Sequence, residues 1–231
     1  LANQSLALGA FSNASAEGAT AIGNQSSAWA INATAIGMLS NANASDSLAF
    51  GTNASTYGTG PGMVAIGLRA KASDFLGTGG GAYAIGTDSN SSGPNAYAIG
   101  TASSANGMQT FAIGTNASAS GCITMALGDG AYAAGCYTTA LGMGAVADYR
   151  YALALGAFSN ATAANATALG SYAKAYGTAS VAQGWGAITT VNASDSTALG
   201  TFAKVDSSRG MAFGTNSSVS GPGWGSVAIG Y

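Results

Sequence analysis

The chain has 231 residues, of which only 6% are charged, and it carries six Lys or Arg against eight Asp or Glu and no histidine. A net charge of −2 and scattered cations exclude the basic footprint of a nucleic-acid binder, and no apolar run reaches the ~20 residues of a membrane-spanning helix. Hydrophobic residues reach 48%, largely through alanine, and 36 residues are glycine, so a monomer with this surface is expected to be poorly soluble.

The dominant pattern is an Ala-aliphatic-Gly triplet. It ends on Gly9, Gly23, Gly37, Gly51, Gly67, Gly86, Gly100, Gly114, Gly128, Gly142, Gly156, Gly170, Gly200, Gly214 and Gly230, with Ala182-Gln183-Gly184 as a variant. Eleven of the fifteen intervals are 14 residues and the others are 16, 19, 16 and 16. A fixed period of this kind marks a solenoid whose units contact mainly their neighbours. Counted from each glycine, small residues recur at +3 and +5 while +4 varies, as in Ala117-Ser118-Ala119, Ala131-Tyr132-Ala133 and Ala173-Lys174-Ala175. This is strand alternation. Lys71, Lys174 and Lys204 all stand at +4, so +4 is expected to face water and +3 and +5 to face inward. Each repeat then holds two short strands and two turns, and stacking the repeats gives two face-to-face parallel sheets over a core that mostly alanine fits.

A repeat of the form x-[VT]-A-[IL]-G-x-x-[AS]-x-A-x-G, with Ser226-Val227-Ala228-Ile229-Gly230 as its fullest instance, resembles the head repeat of YadA-like trimeric autotransporter adhesins. The resemblance covers nearly the whole chain. It implies an all-β, left-handed parallel β-roll of about sixteen rungs, three chains packed about a common axis, and an adhesive role at a cell surface. Residues 1–231 themselves show head repeats and no neck, heptad stalk or membrane-anchor barrel.

In chain order, residues 1–231 are expected to form one β-roll domain with irregular turns near 59–62, 77–81 and 221–225. The first four rungs are regular. Thr59-Gly60-Pro61-Gly62 inserts two residues, and Gly77-Thr78-Gly79-Gly80-Gly81 sits in the 19-residue interval. The second stretch lacks the strand, helix and Lys of a phosphate-binding loop and reads as a turn. Gly142-Met143-Gly144-Ala145-Val146-Ala147 scans as a dinucleotide fingerprint, but it is the repeat itself, with no helix to face a pyrophosphate. In Gly221-Pro222-Gly223-Trp224-Gly225 the tryptophan reads as covering a sheet edge, with a contact residue as the alternative. Without histidine, and with Glu17, Asp46, Asp74, Asp88, Asp129, Asp148, Asp195 and Asp206 on separate rungs, no acid/base pair, metal site or cofactor site is expected, and the chain does not read as an enzyme.

Cys122 and Cys136 both lie at +8 on consecutive rungs. Rungs stack about 4.8 Å apart, within the ~4.4–6.8 Å Cα window of a disulfide, so the pair reads as a crosslink in an oxidising compartment, with two small buried thiols as the alternative. Twelve of the fifteen asparagines open an Asn-x-Ser/Thr sequon: Asn3, Asn13, Asn24, Asn32, Asn43, Asn53, Asn90, Asn116, Asn160, Asn165, Asn192 and Asn216. With 49 Ser and Thr in the chain, chance gives about three. They fall at several phases and avoid the Ala-aliphatic-Gly strand, which points to an N-glycosylated surface.

Alanine at +12 is expected to face inward, leaving +11 and +13 outside. There Tyr83, Tyr97, Phe111 and Met125 form one ladder, Ile85, Ile99, Ile113 and Leu127 another, and Val227 and Ile229 continue them. An uncharged apolar stripe of that length reads as the interface of a homotrimer. If alanine faced outward, the stripe would instead be a monomer core. The chain starts at Leu1 within a repeat and stops at Tyr231 after a full triplet, so head-to-tail filament growth is a further expectation. The functional expectation is an extracellular structural or adhesive protein whose partners are its own copies and a host-cell, neighbouring-cell or matrix ligand, without nucleic acid or membrane insertion. The alternatives are an ice-binding roll, suggested by Thr20, Thr34, Thr139, Thr167 and Thr197 at +11 but interrupted by Leu48, Tyr97 and Met211, and a viral or phage fibre.

Overall fold

A computed structural model describes residues 3–74, 80–221 and 224–230. Among these residues every regular element is a strand and all pairing is parallel, giving a β-solenoid of about sixteen turns. The chain divides into two compact units, Leu1–Ala117 and Ser118–Tyr231. Of the irregular turns expected at 77–81 and 221–225, residues 77–79 and 222–223 lie outside the described residues, as do the termini at 1–2 and 231.

In the first unit, three-residue strands on the Ala-aliphatic-Gly positions, from Leu6–Leu8 to Phe111–Ile113, form one sheet. The +4 and +5 positions supply the other, from Asn13–Ala14 to Ser104–Ala105. Equivalent residues pair: Tyr83 lies beside Tyr97 and then Phe111, and Ile85 beside Ile99 and then Ile113. The second unit repeats the plan, from Met125–Leu127 to Val227–Ile229 in one sheet and from Ser118–Ala119 to Ser218–Val219 in the other. The two-residue insertion at 59–62 follows a strand lengthened to Ser55–Gly58, which pairs with an equally long Lys71–Asp74.

The interior is alanine, as expected. Ala21, Ala28, Ala35, Ala98 and Ala112 are fully buried, and the larger Met63 and Val205 are local exceptions. Alanine at +12 therefore faces in, which removes the reading of the stripe as a monomer core. A fourth inward position, +10, was not evident in the sequence: Ala19, Ala33, Ala96 and Thr110 are buried there. Serine is tolerated inside because its hydroxyl has a fixed local acceptor. Ser26, Ser40, Ser89, Ser103 and Ser159 at +3 donate to the carbonyls of Gly23, Gly37, Gly86, Gly100 and Gly156 at 2.8–3.0 Å, so no buried hydroxyl is stranded at these points. Thr110 and Thr138 at +10 do the same to Gly107 and Gly135.

Two turns per rung carry left-handed residues, at +2 and +9. Among them are Asn53, Asn116 and Asn216 at +2 and Asn32 and Asn165 at +9, all with φ between 55° and 57°. Asparagine is one of the few residues that accepts this region readily.

Candidate functional site

The outward face of the first sheet is the apolar stripe. In every strand of that sheet except the first and last, the central alanine is buried and both flanking residues are half-exposed or exposed. In the first unit, Tyr83 stacks on Tyr97 at 4.6 Å between ring centroids and 3° between planes, and Tyr97 on Phe111 at 4.9 Å and 1°. Ile85, Ile99 and Ile113 run beside them. In the second unit the corresponding positions include Met125, Leu127, Leu141, Leu155, Leu199, Met211, Val227 and Ile229, with Ile229 81% exposed. In-register stacking concentrates these side chains, because each strand repeats the same two outward positions one rung on.

Cys122 and Cys136 are joined as a disulfide, with Cα atoms 4.6 Å apart on consecutive rungs of the second unit. Of the twelve sequon asparagines eight are exposed, and Asn13, Asn43, Asn90 and Asn160 are partly buried, with the Asn160 side-chain oxygen turned inside. Five of them occupy the left-handed turn positions, which supplies a structural reason for asparagine there, although not for the Ser or Thr two residues on. At Asn32 and Asn90 the side-chain nitrogen already donates to Asp46 at 2.9 Å and Asn106 at 3.3 Å, respectively.

Two groups of exposed side chains were missed by the sequence reading. Phe158, Tyr172, Trp185 and Phe202 line a turn edge of the second unit, with neighbouring centroids 4.5–6.4 Å apart. Tyr172, Trp185 and Phe202 line a shallow hollow together with Lys174, Gly186 and Ile188. Their spacing of one rung was the available signal, but they fall at +1 and +2, where residue type varies freely. The second group is in the first unit, where Arg69 and Asp88 form a two-pronged ion pair, Nε to Oδ1 at 2.5 Å and Nη2 to Oδ2 at 2.7 Å. The hydrogen bond from Arg69 holds the Asp88 carboxyl below the usual carboxylate range, and the same bond raises the Arg69 guanidinium further. Both groups stay charged at neutral pH. Trp224 is 74% exposed with the Arg209 guanidinium 5.0 Å from its ring centre, so it presents a face to solvent rather than sealing a sheet edge.

Among the described residues no three His, Cys, Asp or Glu side chains gather at metal-binding distances. Comparison with protein families matches the chain to the YadA head domain repeat over residues 2–26, 14–40, 28–54, 78–96, 91–117, 124–145, 150–173, 175–203, 192–217 and 207–231. A comparison with curated proteins found no match.

Proposed function

Because this chain belongs to the YadA head-repeat family, a family of surface adhesins that is typically trimeric, we propose that it serves as the head of an extracellular adhesin or structural surface protein, packed as a homotrimer along the apolar stripe. The observation that carries this reading is the orientation of +11 and +13. Both face outward, in register, and none of these positions bears a charge. Fully burying an Ile or Leu side chain contributes about 1.5–3 kcal/mol, and each rung offers one or two such side chains per copy. Even after the cost of association, that is ample for an assembly that persists at micromolar concentration. The stripe is then the self-association face, and the second sheet and the turns remain free for a surface or matrix ligand. Exposed sequons on those turns fit a glycosylated surface that keeps a protein of so few charges in solution.

Light scattering on purified protein tests the reading. Three copies of the unmodified 22.1 kDa chain give about 66 kDa by simple multiplication. An Ile99→Asp variant, which places a carboxylate inside the interface but on the surface of an isolated chain, is expected to run as a folded monomer, since burying an unpaired charge costs several kcal/mol. A monomeric parent protein, or a variant that stays trimeric, would overturn the assignment of the stripe.

A further inference from the structure

Residues 1–117 contain two cationic side chains, Arg69 and Lys71, and both line one open cleft of about 610 Å³. The cleft spans three neighbouring strands of the second sheet, Ser55–Gly58, Lys71–Asp74 and Asn90–Ser91. Register sets Ser55, Lys71 and Asn90 side by side across it. The first two of these strands lie within the 16- and 19-residue intervals and the third follows them, so the cleft stands where the repeat departs from its period.

The chemistry of its walls is specific. Tyr57, 55% exposed, forms one side. The Arg69–Asp88 pair forms another, and because each charge satisfies the other that pair is close to neutral overall. Among the described residues Lys71 carries no salt bridge, and its side chain is exposed. The cleft therefore holds one net positive charge, one aromatic face, and a surround of amides and hydroxyls from Asn53, Ser92 and their neighbours. An aromatic face packs against the C–H face of a pyranose, amides and hydroxyls pair with sugar hydroxyls, and a lone ammonium selects a carboxylate. A polyphosphate partner is disfavoured, because the same residues 1–117 carry four acidic side chains, Glu17, Asp46, Asp74 and Asp88.

We propose that this cleft is a binding site for a uronic-acid-containing oligosaccharide, with Lys71 taking the carboxylate and Tyr57 stacking on the sugar ring. The proposal rests on the adhesin reading above and names a ligand class for it. The cleft opens on the outward face of the second sheet and the stripe on that of the first, so packing of copies along the stripe leaves the cleft accessible.

The test uses the 231-residue chain produced without glycosylation, so that no glycan on Asn53 or Asn90, the two sequon asparagines in the lining, covers the cleft. Calorimetric titration with tri-galacturonate is expected to saturate with a millimolar-range Kd, and maltotriose, a neutral trisaccharide, to bind at least about ten-fold more weakly. Lys71→Ala and Tyr57→Ala should each weaken tri-galacturonate binding about ten-fold, with Lys71→Arg retaining most of it and Lys204→Ala, in the other unit, leaving it unchanged. Lys71 and Tyr57 are exposed, and a circular dichroism melt of each variant that matches the parent shows that the loss is one of binding and not of fold. Absence of saturation, equal binding of maltotriose, or equal weakening by Lys204→Ala would each overturn the proposal, the last by showing diffuse charge attraction. Light scattering on the same samples keeps the two questions apart: a trimer that binds no uronate refutes the cleft alone.

Discussion

Replacing Gly100 by alanine tests whether the glycine row is structural. Gly100 has φ +130°, and a Cβ there would stand 2.5 Å from the carbonyl oxygen and 2.7 Å from the carbonyl carbon of Gly114 on the next rung. Neither partner can step aside easily, since the Gly100 N–H donates to Ile85 O at 2.8 Å and the Gly114 N–H to Ile99 O at 2.9 Å. Holding an L side chain at such a φ costs about 1–3 kcal/mol, and forcing two hydrogen-bonded rungs apart adds about 1–3 kcal/mol. At ~2–4 °C per kcal/mol for a chain of this length, the melting temperature should fall by roughly 10 °C. Gly62→Asn is the matched control in the same unit: φ is +71° and nothing lies within 4 Å of its Cβ position, so the change should be within about 0.5 kcal/mol. Circular dichroism melts of both variants decide the point, and hydrogen exchange at the amides of residues 99–114 locates the loss. Equal melting of the two variants would refute the reasoning, because it would mean that the approach of the rungs imposes no requirement for glycine.

Two covalent features give further predictions. Peptide mapping without reduction should recover Cys122 crosslinked to Cys136 within one chain; complete alkylation of both thiols under native, non-reducing conditions would contradict it. Peptides covering residues 1–231 of the protein from its native source should carry added mass at the sequons that glycan removal abolishes, with the lowest occupancy at Asn32 and Asn90, whose side-chain nitrogens are already engaged. An unmodified mass would exclude glycosylation.

The fold was legible because glycine spacing fixes the register and the small residues at +3, +5 and +12 mark three of the four inward positions. The fourth, +10, was hidden by chemistry. Thr110 and Thr138 are polar, but each donates to a carbonyl three residues back, so a polar side chain satisfies itself inside an alanine core. The left-handed turn positions were equally obscure. Besides Asn and Asp they take Leu39, Arg69, Phe158, Tyr172 and Phe202, all with φ between 54° and 60°, residue types that give no turn signal. The neighbouring rungs impose the conformation and their ladder of hydrogen bonds offsets its cost. The stripe was readable as a line of apolar residues one period apart. The cleft was not, because its walls come from three strands separated by unequal intervals, and only the register of Lys71 against Ser55 and Asn90 brings them together.

The placement of charge explains how so thin a fold divides its surface. All fourteen charged side chains avoid the three residues before each repeat glycine, so none lies on the outward face of the first sheet. They sit instead on the second sheet, as Lys71, Lys174 and Lys204 do, or on the turns, as Arg69, Asp46, Asp88 and Arg209 do. The alanine interior cannot discriminate between the two faces, since it is equally close-packed beneath both. What separates them is the cost of desolvation. A charge on a face that meets other copies of the chain would be buried with three-fold multiplicity in a trimer, whereas an exposed charge on the second sheet, such as Lys71 or Lys204, keeps its water. Charge is therefore absent from one face and sparse on the other, and Lys71, Arg69 and Asp88 are among the charges that stand where a polar ligand can reach them.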